Sequence, residues 1–301
     1  MGKKVILGGT FERLHLGHHE MIRTAFEHGD VTIGLVSDEM LEEWKPHIDK
    51  GYEQRKKQLE DLLMSYENWA IKEIDDTYGF AVDGDYDVLV VSYETKKRGE
   101  EINELREEKS MPPLELVVVD PVLADDLMPI SSTRIREGEI DSLGNRLKPV
   151  KINLKGGEDA GEVVYDIFKD IFEVEVTLDV EQAEEESGNI EKNPSEQIRE
   201  LAGVPEGYDY CIACKNYMVK KGTQTYEVVY TAVRDKLGYT TIGKGPALRI
   251  MKEHPVSDKI RLVGGENKNI KTTSLNIHEK DIYSSALSEA MIPRFDGSCY
   301  R

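Results

Sequence analysis

Over the first half of the chain, short unbroken apolar runs alternate with stretches whose apolar residues recur every three or four positions. Residues 3–7 (KKVIL) read as a buried strand that stops at Gly8-Gly9. Residues 16–27 (LGHHEMIRTAFE) carry Met21, Ile22, Ala25 and Phe26 at helical spacing. A second strand follows at 31–36 (VTIGLV). The stretch 52–66 (YEQRKKQLEDLLMSY) predicts an amphipathic helix with Leu59, Leu62, Leu63 and Tyr66 on one face. Further strands are expected at 69–74, 88–92 and 114–119, with a charged helix over 94–109 between the last two. Strands that are apolar throughout, alternating with helices, predict an α/β fold: a doubly wound parallel sheet covered on both faces.

Near residues 144–151 (GNRLKPVK) the pattern restarts, which divides the chain into residues 1–148 and 149–301. A strand at 153–154 leads into Gly156-Gly157, a helix over 161–172 and a strand over 174–180. The acidic stretch 181–193 predicts a surface loop, and Pro194 opens a helix to residue 202 with Asn193 as its cap. Strands are expected at 208–216, 226–233 and 239–242, the first two as a hairpin around Lys220-Lys221-Gly222. Helices are expected at 246–253 and 281–291. This half reads as a second α/β domain.

A chain of 301 residues suits two ordinary domains, and its 39% hydrophobic content suffices for packed cores. No apolar run approaches the roughly 20 residues of a membrane helix. Val5-Ile6-Leu7 is too short for a secretion signal, and Ile6 stands where a myristoylation signal needs Ser or Thr. The expectation is a cytoplasmic protein with no membrane partner. Three cysteines make no disulfide framework. Cys211 and Cys214, three apart on a strand, point to opposite faces and read as inert packing. The net charge of −19 divides into −13 for residues 1–150 (19 Lys+Arg, 32 Asp+Glu) and −6 for the remainder (20 and 26). Such a surface disfavours non-specific nucleic-acid binding, yet leaves room for a small anion pocket. The sequence is compatible with an oligomer.

Candidate chemistry begins where the first strand ends. Ligands of doubly wound sheets bind beyond the carboxyl ends of strands, and Gly8-Gly9-Thr10 falls there. The glycines permit close approach of a phosphate, and the Thr10 hydroxyl can donate to it. His15 and His18, three apart at a helix start, share a face near the positive end of the dipole. Gly17 leaves that face open, and His19 points away. Zinc ligation is the competing reading, but no Cys lies nearby as a further ligand. Phe11 and Leu16 read as core. In ISSTRIR (130–136) three hydroxyls precede two arginines at a helix start. They read either as caps with a surface charge or as phosphate donors. Two anion cradles in one crevice would suit a polyphosphate.

Together, GGTFERLHLGHH and ISSTR resemble the His-x-Gly-His and second signatures of the nucleotidyltransferase superfamily, which has a Rossmann-like fold. Residues 50–59, 90–103, 112–120 and 130–141 extend the likeness, over about the first 145 residues, to archaeal phosphopantetheine adenylyltransferases. The resemblance implies adenylyl transfer from ATP to 4′-phosphopantetheine, with Mg2+ accompanying ATP. It implies that His18 donates to the α-phosphate, Thr10 aligns the phosphates and His15 orients the nucleotide, with Gly9 and Phe11 beside them. Ser131, Ser132, Thr133 and Arg134 would hold the β- and γ-phosphates. Lys45 would bridge acceptor and ATP, and Arg98 would meet the acceptor phosphate. Glu12-Arg13 departs from the Asp-Pro of many members, which bears on substrate preference. The competing expectations are another acceptor, such as nicotinamide mononucleotide or a flavin precursor, and a nucleotide sensor without chemistry.

Residues 243–250, 264–271 and 281–294 resemble the inosine/xanthosine triphosphatases. That family's phosphate loop corresponds here to KGGEDA (155–160), which has acids in place of Asn and Lys. A metal-binding Glu of the family corresponds to Cys214. The resemblance therefore implies a retained fold with lost hydrolase activity.

Overall fold

The computed structural model describes residues 2–44, 50–172, 174–182, 193–221, 224–250 and 279–300. They fall into two compact units. One comprises residues 1–124 and 129–147, the other 125–128 and 148–300.

The first unit is built on a parallel sheet of β1 (Lys3–Gly9), β2 (Gly29–Val36), β3 (Trp69–Ile74), β4 (Val88–Ser92) and β5 (Glu115–Val119), in the order β3-β2-β1-β4-β5. Every neighbouring pair is parallel. Helices α1 (Leu16–His28), α2 (Asp38–Trp44), α3 (Tyr52–Leu63) and α4 (Lys96–Glu108) accompany it, with the short α5 (Ser132–Arg136) after β5. Alternation within the strands explains why both faces are apolar. Val5, Leu7, Val88 and Val90 pack with Ile22 and Ala25 of α1 and Leu59 and Leu63 of α3. Ile6, Leu89 and Val91 pack on the other side with Ile102 of α4. The doubly wound expectation therefore holds.

The second unit has a mixed sheet. β6 (Val150–Lys155) lies parallel to β7 (Val176–Glu181) and to β8 (Tyr210–Lys221). β9 (Gln224–Asp235) runs antiparallel to β8, and β10 (Thr240–Lys244) antiparallel to β9. Helices α6 (Glu158–Ile171), α7 (Pro194–Leu201) and α8 (Glu279–Phe295) complete the α/β unit. The Asn193 side chain caps α7 by accepting from the Ser195 amide at 3.0 Å.

Three expectations are corrected. Residues 248–250, expected in a helix, form β11 (Leu248–Ile250), paired antiparallel to β9. Pro246 suits a helix start, but the free side of β9 offers backbone partners that local spacing does not reveal. Leu16, expected in the core, is 37% exposed. It precedes Ile22 by six residues, about 240° around the helix from that buried face. Glu94 does not open the long helix, because residues 93–95 form a separate 3-10 turn. Most of the acidic 181–193 stretch, the turn at 222–223 and residues 251–253 and 264–271 lie outside the described residues.

Candidate functional site

The chain leaves β1 through Gly8, Gly9 and Thr10 and enters α1 six residues later. Phe11 turns the backbone through the left-handed region, at φ 47°, and its ring is buried at 1% exposure. A Cβ on Gly9 would sit 3.0 Å from that ring, so the second glycine makes room for Phe11. The Phe11 ring lies 5.1 Å from the His18 ring, and His18 lies 3.9 Å from His15 between ring centroids.

His15 is the N-cap of α1. Its Nδ1 accepts the Gly17 amide at 3.2 Å, which requires Nδ1 unprotonated and leaves the proton on Nε2. Burial, reinforced by His19, lowers the His15 pKa to about 4, so the ring is neutral near pH 7. A Cβ on Gly17 would press within 3.0 Å of the His15 ring. The glycine between the histidines thus protects the cap. His19 is exposed, as expected.

A cavity of about 410 Å3 opens at the ends of β1 and β4. Gly9, Thr10, Phe11 and His18 line one wall, and Arg98 of α4 stands on another. Ile74, Tyr78 and Phe80 supply an apolar side. Two buried arginines hold these walls. Arg55 of α3, 0% exposed, donates to the Thr10 carbonyl at 3.0 Å, to the Lys50 carbonyl at 3.2 Å and to Asp38 Oδ1 at 2.8 Å. Burial raises the Asp38 pKa, but the Tyr52 amide and Arg55 outweigh it and hold the carboxyl below its ordinary range. Arg106 of α4 donates to the carbonyls of Ala81 at 2.8 Å, Gly84 at 3.0 Å and Pro112 at 2.8 Å.

Arg55 was not foreseen as part of the site. The available signal was its i, i+4, i+8 register with Leu59 and Leu63, which puts a guanidinium on a buried face.

The ISSTRIR segment is stapled to the glycine–histidine loop. Ser132 Oγ donates to the Arg13 carbonyl at 3.3 Å, and farther along the chain Ser142 accepts from Leu16 N at 3.2 Å through its carbonyl. Ser131 caps α5 by accepting the Arg134 amide at 3.3 Å. Arg134, expected beside the β- and γ-phosphates, turns its side chain inward. Its side chain is 3% exposed, donating to Glu139 at 3.0 Å and to the Pro129 carbonyl at 2.9 Å. Arg136 is the arginine that faces the loop. It meets Glu12 Oε2 at 3.2 Å and Thr133 Oγ1 at 3.4 Å. Residues two apart on a helix lie about 200° from each other, so the two arginines face opposite ways. Lys45 lies outside the described residues, after α2.

In the second unit, Cys214 packs among Ile212, Val233 and Leu287, with its Sγ 3.3 Å from Thr231 Oγ1. Cys211 lies on the opposite face, with its Sγ 3.6 Å from Asn153 Oδ1. Burial pushes the two thiols up to about 12 and about 11. Neither is a nucleophile at neutral pH.

Among known proteins, a cytidylyltransferase-like domain matches residues 6–138. The chain is 30% identical to a "bifunctional phosphopantetheine adenylyltransferase/NTP phosphatase" of Thermoplasma volcanium, over 98% of this chain and 97% of that protein. A protein of the same description from Thermoplasma acidophilum is 33% identical, over 81% of this chain and 77% of its own length. The "phosphopantetheine adenylyltransferase" of Methanosarcina acetivorans is 45% identical, over 47% of this chain and 94% of that protein.

Proposed function

The chain belongs to the bifunctional phosphopantetheine adenylyltransferase/NTP phosphatase family, and we propose that its first unit transfers the adenylyl group of ATP to 4′-phosphopantetheine. The observation that carries this reading is the convergence of Thr10, His18 and Arg98 on one cavity at the carboxyl end of a parallel sheet. An oxygen of the acceptor phosphate attacks the α-phosphorus, the bond to the β-phosphate oxygen breaks, and pyrophosphate leaves. Dephospho-coenzyme A is the product. The attacking oxygen is already anionic, so the protein positions groups and stabilises charge rather than removing a proton. His18 donates to the α-phosphate as charge builds there, and the Thr10 hydroxyl aligns the phosphate chain. Arg98 meets the acceptor phosphate, and Lys45, outside the described residues, is the lysine that would bridge that phosphate and ATP. His15, neutral and held by its cap bond, backs the His18 ring.

Among the described residues, no group of three or more His, Cys, Asp or Glu side chains is placed to hold a metal. The hydroxyls, imidazole and guanidinium of the cavity fit a phosphate chain that carries its own cation. Mg2+ would therefore enter on the ATP phosphates and water and offset their charge. A cytoplasmic setting belongs to the same reading.

For the second unit we propose a retained fold without nucleotide hydrolysis. The residue that stands in place of a metal-binding Glu is the buried thiol of Cys214, a poor ligand for a hard cation.

Incubating the full chain with ATP, Mg2+ and each acceptor in turn, while following pyrophosphate, tests the first proposal. Release is expected with 4′-phosphopantetheine. Release only with nicotinamide mononucleotide or a flavin precursor would reassign the acceptor. Hydrolysis of inosine triphosphate by the full chain with Mg2+ would overturn the second proposal.

A further inference from the structure

Glu12 has no part in the reaction as described, yet its side chain is only 4% exposed where the glycine–histidine loop meets ISSTRIR. A carboxylate is rarely buried unless it is paired. Each of its oxygens faces a different arginine. Oε1 lies 3.6 Å from Arg13 Nε, and Oε2 accepts from Arg136 Nη1 at 3.2 Å. Arg136 then turns its Nη2 to Thr133 Oγ1 at 3.4 Å. The chain Glu12–Arg136–Thr133 runs from the glycine–histidine loop to an exposed hydroxyl of ISSTR.

The direction of the hydrogen bonds matters more than their number. A hydroxyl has one proton and two lone pairs. Thr133 accepts from Arg136, so its own proton points away from the guanidinium and remains available to an anion. Ser132 has the opposite arrangement, because its proton goes to the Arg13 carbonyl. Arg136 can orient Thr133 only while its planar fork is held, and Glu12 holds one arm of that fork.

We propose that Glu12 is a positioning residue for nucleotide binding: through Arg136 it fixes Thr133 as a phosphate donor and sets the ISSTR hydroxyls relative to the Thr10–His18 wall. This rests on the adenylyltransferase reading for its nucleotide. It gives the departure from Asp-Pro at Glu12-Arg13 a physical role, since a side chain one methylene shorter would fall short of Arg136 unless the backbone moved.

The test is a double-mutant cycle on the full chain, reading ATP affinity by calorimetry and the KM values by pyrophosphate release. Glu12→Gln keeps the size of the side chain and removes its charge. It is expected to weaken ATP binding about tenfold, the size of one charge-assisted hydrogen bond, with the KM for 4′-phosphopantetheine unchanged. Thr133→Val is expected to weaken ATP binding similarly, and the double variant no further than Thr133→Val alone. ATP binding by Glu12→Gln at the wild-type level would overturn the proposal, as would a double variant whose loss is the product of the two single losses. Should Glu12→Gln not fold, Arg136→Gln replaces it in the same cycle. Calorimetry with ATP needs no acceptor. A wild-type chain that binds ATP but does not turn over 4′-phosphopantetheine would defeat the proposed acceptor, while the cycle still decides the role of Glu12.

Discussion

His15 and His18 are three residues apart, yet their environments give them different work. His15 is spent on its cap bond, and burial holds its pKa near 4. The unfolded chain takes up a proton on this imidazole near pH 6.5, and the folded chain only near 4. Stability from this residue is therefore complete above about pH 6.5 and is lost as pH falls toward 4, to a ceiling of about 3 kcal/mol. An NMR titration of the His15 ring checks this: a midpoint near 4 is expected, and one near 6.5 would contradict the cap assignment. His18→Ala should lower kcat about 10²–10³-fold if that ring stabilises the transferring phosphate. An unchanged kcat would remove it from the mechanism. Much of this site was readable in the sequence, because short-range spacing decides which residues share a helix start. The choice between Arg134 and Arg136 was not. It depends on which face of α5 meets the loop, and that is fixed by Glu12, more than 120 residues away.

At the scale of elements, buried arginines do the joining. Arg55 ties α3 to the carbonyl of Thr10, and Arg294 of α8 ties its helix to β9 and β10. The Arg294 guanidinium is 0% exposed and donates to Asp235 Oδ2 at 2.8 Å, Thr241 Oγ1 at 3.0 Å and the carbonyls of Val233 and Tyr239. Tyr300 donates to the same Asp235 oxygen at 2.8 Å. Asp235→Asn should destabilise the second unit by about 3–5 kcal/mol, since it leaves a guanidinium buried without its counter-charge. Urea unfolding followed by the second unit's aromatic signals measures it, and a loss below about 1 kcal/mol would show the pair to be dispensable. Replacing Arg55 with Met should cost about 3 kcal/mol in the first unit and raise the KM for ATP, because the Thr10 carbonyl loses its anchor. A KM at the wild-type value would separate Arg55 from the site. Apolar periodicity announced β1, α1, α3 and β4 clearly. It missed α2, seven residues long with Met40 and Leu41 as its buried contribution, and it assigned the wrong element to residues 248–250, where strand pairing rather than local pattern decides.

For the molecule as a whole, the two units carry different amounts of chemistry. The first gathers hydroxyl, imidazole and guanidinium groups around an open cavity. The second buries Cys211 and Cys214 and encloses the charged pair of Arg294 and Asp235. This contrast supports the proposal of adenylyl transfer in the first unit and a fold without hydrolysis in the second. The direct measurement supplies the full chain with Mg2+, 4′-phosphopantetheine and ATP labelled at its α-phosphorus, and separates the products by mass. The label is expected in dephospho-coenzyme A, with unlabelled pyrophosphate released in equal amount. Label that stays in ATP, or leaves as free AMP with no labelled coenzyme A precursor, would contradict the proposal.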